Sequence, residues 1–170
     1  MKAQVNRHNS KILRNKATKK QKSTPSCNCI ASRKSECPLP GACNQKGVIY
    51  QATVENKKGE KQTYVGLASN FKKRFYKHRE SMENQSQENS TTLSTHFWNE
   101  MGASNNPKVT WKILQNNIPD YNPVTGKCLL CIREKFIIVL KPNLATLNAR
   151  QEIFSSCRHK KGKLLKKAPD

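Results

Sequence analysis

Two short runs decide how this chain folds: Gly47–Val54, GVIYQATV, and Thr63–Ala68, TYVGLA. In the first, Val48, Tyr50, Ala52 and Val54 alternate with Gln51 and Thr53, the period of a half-buried strand. The second is a short β-rich run. The polar stretch between them, ENKKGEKQ (55–62), holds a glycine, so the pair reads as a hairpin.

Downstream, SNFKKRFYKHRESM (69–82) carries Phe71, Phe75 and Met82 at helical spacing, with Ser69 or Asn70 placed as N-cap. A Ser/Asn/Gln-rich loop (84–92) leads to Leu93, Phe97 and Trp98, read as a second helix. Pro107 precedes VTWKIL, a third strand, and YNPVTGK (121–127) is a loop. CLLCIREKFIIVL (128–140) is apolar almost all round, which predicts a buried third helix, although FIIVL alone also suits a strand. KPN ends it, and TLNARQEIF (146–154) reads as a short further helix. The order is hairpin, helix, helix, strand, helix: a mixed α/β (α+β) unit of about 100 residues.

Upstream, CNCIASRKSECPLPGAC (27–43) is too short and too poor in apolar residues to fold without a cross-link or a metal. Residues 1–26 hold eight Lys/Arg and no acid, the composition of a disordered basic arm. Arg158–Lys167 repeats the theme. The expected organisation is a basic arm (1–26), a Cys-rich zinc-binding segment (27–46), a core (47–150), and a C-terminal segment with further ligands and a basic tail (151–170).

The net charge of +21 and pI near 10 imply a polyanionic partner, because such charge opposes compaction of a monomer. Nucleic acid, gripped through its phosphates, is the expected one. A membrane surface is disfavoured: no basic amphipathic helix, lipid signal or apolar leader is visible, and the longest purely apolar run, Phe136–Leu140, is far too short to span a bilayer. The chain is expected to be soluble and intracellular. Seven cysteines in a reducing compartment read as metal ligands or buried thiols rather than disulfides.

Some polar residues are forced inward. Arg74 and His78, four apart, share a face flanking the Phe71/Phe75/Met82 stripe. Glu134 is embedded in the apolar third helix, where a carboxylate needs a cation, a metal or a hydrogen-bond network. Tyr50 and Tyr64 lie on the paired strands. Singly, each has an ordinary reading: core aromatic, salt-bridge partner, satisfied interface histidine. Converging on one sheet face, they form a set suited to phosphodiester hydrolysis.

Val48-Ile49-Tyr50, Tyr64-Val65-Gly66 and Phe71–His78, followed by Glu134-Lys135-Phe136-Ile137 and Leu147-Asn148, resemble the GIY-YIG endonuclease pattern over about residues 47–150. Two departures stand out: Gly47 precedes VIY one position early, and YIG is YVG. The flanking cysteines, STTLSTHFW (90–98), LNAR (147–150) and CRH (157–159) resemble the endonuclease domain of Penelope-like retroelements.

The resemblance implies a small three-stranded antiparallel sheet flanked by helices, with Cys-rich zinc-binding flanks. It also implies a DNA endonuclease that nicks target DNA to prime reverse transcription. In that scheme Glu134 holds one Mg²⁺ or Mn²⁺, Tyr50 with His78 as partner activates water, and Arg74 stabilises phosphorane-like charge. Tyr64 and Asn148 position phosphate and backbone. DNA, element RNA and a reverse transcriptase are the implied partners, and the nucleus the implied location in a eukaryote. No polymerase is present, so the chain is expected to be a separated domain, a fragment or a domesticated copy.

The cysteines allow a Cys₃His zinc site from Cys128, Cys131, Cys157 and His159, and a Cys₄ site from Cys27, Cys29, Cys37 and Cys43. A mixed arrangement and plain buried thiols stay open, and His96, beside Trp98, is a further candidate ligand or active-site residue. The competing functional readings are a catalytically inactive, zinc-stabilised nucleic-acid-binding protein and, ranked lower, a ribosome-associated structural protein.

Overall fold

The computed structural model describes residues 27, 29, 37–39, 41–102, 107–120, 128–148 and 157. The expected basic arm, the loop 121–127 and His159 lie outside the described residues.

Strand β1 (Lys46–Glu55) pairs antiparallel with β2 (Lys61–Asn70) in a register that sets Tyr50 opposite Gly66 and Ala52 opposite Tyr64. The hairpin closes through Asn56, whose Oδ1 accepts from the Lys58 and Glu60 amides at 3.0 Å each. Strand β3 (Lys108–Gln115) pairs antiparallel with the other edge of β1, giving the order β2-β1-β3. The expected three-stranded antiparallel sheet is therefore present, with helices around it.

Helix α1 (Phe71–Glu83) follows β2 directly, and Asn70 is its cap: its Oδ1 accepts from the Lys73 amide at 3.0 Å. A 3₁₀ turn over Gln85–Ser90 leads into α2 (Thr92–Gly102), tied to α1 where Trp98 Nε1 donates to Ser81 O at 2.9 Å. Helix α3 (Leu129–Leu140) runs through FIIVL, so that run is helical. It is not buried all round, since Phe136 is 53% and Leu140 71% exposed.

Helices pack on both faces of the β1–β2 hairpin. The alternation expected for β1 holds from Tyr50 onward, where Gln51 and Thr53 are only part-buried, and β3 keeps Lys108, Thr110 and Lys112 exposed. Ile49, Val65 and Leu67 pack with Leu130, Cys131, Ile137 and Ile138 of α3. Val48, Tyr50, Ala52, Val54, Tyr64 and Ala68 pack with Phe71 and Leu93 on the other side. Gln51, polar in the alternation, is part-buried and donates through Nε2 to Leu144 O at 2.9 Å. Gly47 has φ +55°, and a side chain there would overlap the Ile118 carbonyl, so the segment after β3 can close over the start of β1.

Thr146–Asn148 is a clasp on the outer edge of β2 rather than the start of a helix. The Leu147 amide donates to Thr63 O at 2.9 Å, and the Thr63 amide donates to Thr146 Oγ1 at 2.8 Å. Asn148 then stands in for a strand neighbour: Oδ1 accepts from the Val65 amide and Nδ2 donates to Val65 O, both at 2.8 Å. Two such bonds stabilise the edge by about 1–3 kcal/mol together. They also satisfy backbone groups that an open edge would leave available for pairing.

Candidate active site and thiol clusters

Tyr50 is fully buried on the central strand, and its ring lies across Gly66 of β2. A Cβ on Gly66 would sit 2.5 Å from the Tyr50 hydroxyl oxygen and 2.9 Å from Tyr64 Cε1, so only glycine leaves room for the two rings. Their centroids are 6.4 Å apart.

The i, i+4 spacing on α1 delivers both expected partners to the Tyr50 hydroxyl. Arg74 Nε donates to it at 3.1 Å, and His78 Nε2 lies 2.7 Å away. Arg74 also hydrogen-bonds Tyr64. His78 is 1% exposed, and burial, reinforced by the Arg74 charge, lowers its pKa to about 3. A neutral imidazole has one acceptor nitrogen, and guanidinium only donates. We therefore assign the hydroxyl proton to the bond with His78 Nε2, which leaves the imidazole proton on Nδ1. The chain runs Arg74 to Tyr50 to His78. Burial first, then the proximity of Tyr64, pushes the Tyr50 phenol above its ordinary range, with Arg74 opposing and Glu134 adding to the rise.

Glu134 is 1% exposed on α3. Its helix packs with Ile49, Val65 and Leu67, whereas Tyr50 and Tyr64 belong to the cluster on the α1 side. The sequence reading brought all five residues to one sheet face; Glu134 instead belongs to the helix that packs on the face opposite Tyr50 and Tyr64. Among the described residues no group of three acidic or histidine ligands forms; the convergent groups are thiols. A single buried carboxylate fits a hard divalent cation that completes its shell with water and phosphate oxygens, and does not fit one caged by protein alone.

Asn148 spends both ends of its amide on Val65, so it positions the backbone beside Tyr64 and Gly66 rather than a phosphate. Sequence reasoning missed Trp111, whose ring packs at 5.9 Å from Tyr50 and 5.5 Å from His78. The signal was present in β3, where Val109, Trp111 and Ile113 alternate and all pack toward Tyr50.

The cysteines separate into two groups. Cys27, Cys29, Cys37 and Cys43 bring their sulfurs within 4.8 Å of one another, as do Cys128, Cys131 and Cys157. The first offers the four sulfur ligands that a structural zinc site takes; the second offers three of four. None of the seven cysteines is in a disulfide, and no mixing between the groups occurs among the described residues. His96 is in neither group. The Cys29 amide donates to Cys27 Sγ at 3.4 Å; this bond, with those from Cys43 and Cys37, lowers the Cys27 pKa to about 6. The first cluster is joined to α1 by the Phe71 amide, which donates to Gln45 O at 3.0 Å, and by a Lys72–Cys29 hydrogen bond.

The chain matches no protein-family model, no curated protein and no solved structure. No helix among the described residues is long and apolar enough to cross a membrane.

Two outcomes are expected. Native mass spectrometry should find two zinc ions per chain, and Cys43→Ser should remove one of them; a metal-free native chain rules the zinc assignment out. For His78, the folded pKa lies below the ordinary 6.5, so the unfolded chain binds the extra proton between about pH 6.5 and 3. Its contribution to stability is nearly complete above pH 6.5 and declines as pH falls toward 3. Between pH 6.5 and 5.0, urea unfolding of the wild type should lose about 1–2 kcal/mol more than His78→Gln does. Equal losses would mean that His78 is not held neutral.

Proposed function

We propose that this protein is a metal-dependent DNA endonuclease of the GIY-YIG type, which nicks target DNA to prime reverse transcription of a retroelement. The observation that carries this reading is the buried Arg74–Tyr50–His78 chain, with the Glu134 carboxylate buried on α3. The hydroxyl accepts from a permanent cation on one side and meets a neutral base on the other.

The residues divide the work as follows. Arg74 is the only permanent cation on the chain of hydrogen bonds, and its guanidinium can neutralise charge developing on a phosphate. On this reading the Arg74 guanidinium turns from the Tyr50 hydroxyl to the bound phosphate, which opens that oxygen to the attacking water. Tyr50 then takes the water's proton as its own passes to His78 Nε2, 2.7 Å away. The resting imidazole is neutral and can accept it. Burial and Arg74 disfavour the imidazolium, and the negative charge of a bound phosphate offsets the Arg74 contribution. Tyr64 shares Arg74 and holds it in place. Glu134 is the residue that would hold Mg²⁺ or Mn²⁺. When bound, such an ion supplies Lewis acidity toward the phosphate and stabilises the leaving oxygen.

The net charge of +21 supports DNA as the partner through phosphate contacts. Element RNA, a reverse transcriptase and a nuclear location belong to the same reading, and rest on the flanking motifs that resemble Penelope-like elements.

The test is nicking of supercoiled plasmid with Mn²⁺ or Mg²⁺. Arg74→Ala and Glu134→Gln should each slow nicking by at least about 100-fold while plasmid affinity stays within a few-fold. A wild type that binds plasmid and never cuts it would instead establish the catalytically inactive, zinc-stabilised binding protein. Joint loss of binding and folded structure in both variants would mark the residues as structural.

A further inference from the structure

A cleft of about 560 Å³ opens between α1 and the end of β2, floored by Leu67 and Ala68, and its three charged lining residues are Lys73, Arg74 and Lys77. Lys73 and Lys77 are exposed, and neither enters a salt bridge among the described residues. The acids of the same helix are elsewhere: Glu83 pairs with Arg79, and Glu80 does not line the cleft. One acid stands at the rim, Asp120, which accepts from Ser69 Oγ at 3.4 Å.

We infer that this cleft is a track for the sugar-phosphate backbone of a nucleic-acid strand, with Lys73 and Lys77 each taking one of two neighbouring phosphates. Residues four apart on a helix are about 6 Å apart along its axis, the order of the spacing between successive phosphates on one strand. No aromatic ring lines the cleft, so it lacks a stacking platform for a base, and it reads backbone rather than sequence. Its inner end is Arg74, whose Nε already holds the Tyr50 hydroxyl. Arg74 falls between the two lysines along the helix axis, so a strand held by Lys73 and Lys77 lies against the guanidinium that caps the buried tyrosine.

The track deepens the nuclease reading and rests on it for what happens to that phosphate, but its test is binding alone. The experiment is a salt titration of the full chain against fluorescently labelled DNA and RNA duplexes of arbitrary sequence, read by anisotropy. Lys73→Ala/Lys77→Ala should flatten the slope of log K against log salt on DNA by about 2, the loss of two phosphate contacts. The control Lys108→Ala/Lys112→Ala removes the same charge from exposed positions on β3 and should change the slope by less than half as much. Equal slopes for the two double variants would overturn the track, leaving only the general charge of the chain. Flattening on RNA alone would assign the track to RNA. Displacement of DNA by polyglutamate, equally effective in wild type and cleft variant, would also overturn it. A wild type that never nicks DNA would sink the nuclease reading while leaving the slope comparison to decide the track.

Discussion

The hydroxyl of Tyr50 is out of reach of bulk solvent, and most of the protein's centre is arranged to make that tolerable. A buried phenol needs a donor and an acceptor, or it costs roughly 1–3 kcal/mol. Arg74 and His78 supply them from one helix, four residues apart, at 3.1 and 2.7 Å. For the helix to deliver both, it must start immediately after β2, and Asn70 caps it there. For the ring to lie flat enough to reach them, the residue opposite on β2 must have no side chain, and it is Gly66. Trp111 from β3 closes the remaining side. One hydrogen-bonded group thus couples all three strands to α1.

The two thiol clusters act at the ends of the helices that matter. Cys27, Cys29, Cys37 and Cys43 gather beside the start of α1 and are joined to it through Lys72 and through the Phe71–Gln45 bond. Cys128 stands at the N-terminal boundary of α3 and Cys131 lies in its first turn, where both meet Cys157. Each set therefore fastens the beginning of a helix that carries a candidate catalytic residue: Arg74 and His78 on one, Glu134 on the other. Zinc in these sets would contribute folding energy where the flanking chain has too little apolar surface of its own.

Much of this was legible in the sequence because it follows local periodicity. The hairpin, the helix over 71–83 and the shared face of Arg74 and His78 all come from spacings of two or four. What was not legible depends on contacts distant in sequence. Along GVIYQATV the alternation was right from Tyr50 to Val54, where Gln51 and Thr53 are part-buried, and understated burial only at Ile49; nothing in that run reveals that α3 will pack there. Thr146–Asn148 has the composition of a helix start, but its polar groups find β2 instead, and the edge strand wins because its backbone otherwise goes unpaired. Glu134 was read as buried from its apolar neighbours, correctly, while the side of the sheet from which it comes depended on how α3 packs. Cysteine spacing allowed several partitions, and only their placement in space separates four from three.

On the proposed nuclease reading, the Tyr50 hydroxyl is the group through which the proton of the attacking water leaves. The most direct measurement is single-turnover nicking by Tyr50→Phe, with folding checked by circular dichroism and DNA affinity by anisotropy. The substitution keeps the ring packed across Gly66 and deletes one oxygen. A folded variant that binds DNA as the wild type does and fails to nick it is the expected result; nicking at the wild-type rate would contradict the role given to Tyr50 and reduce its hydrogen-bonded chain to a structural feature of the core.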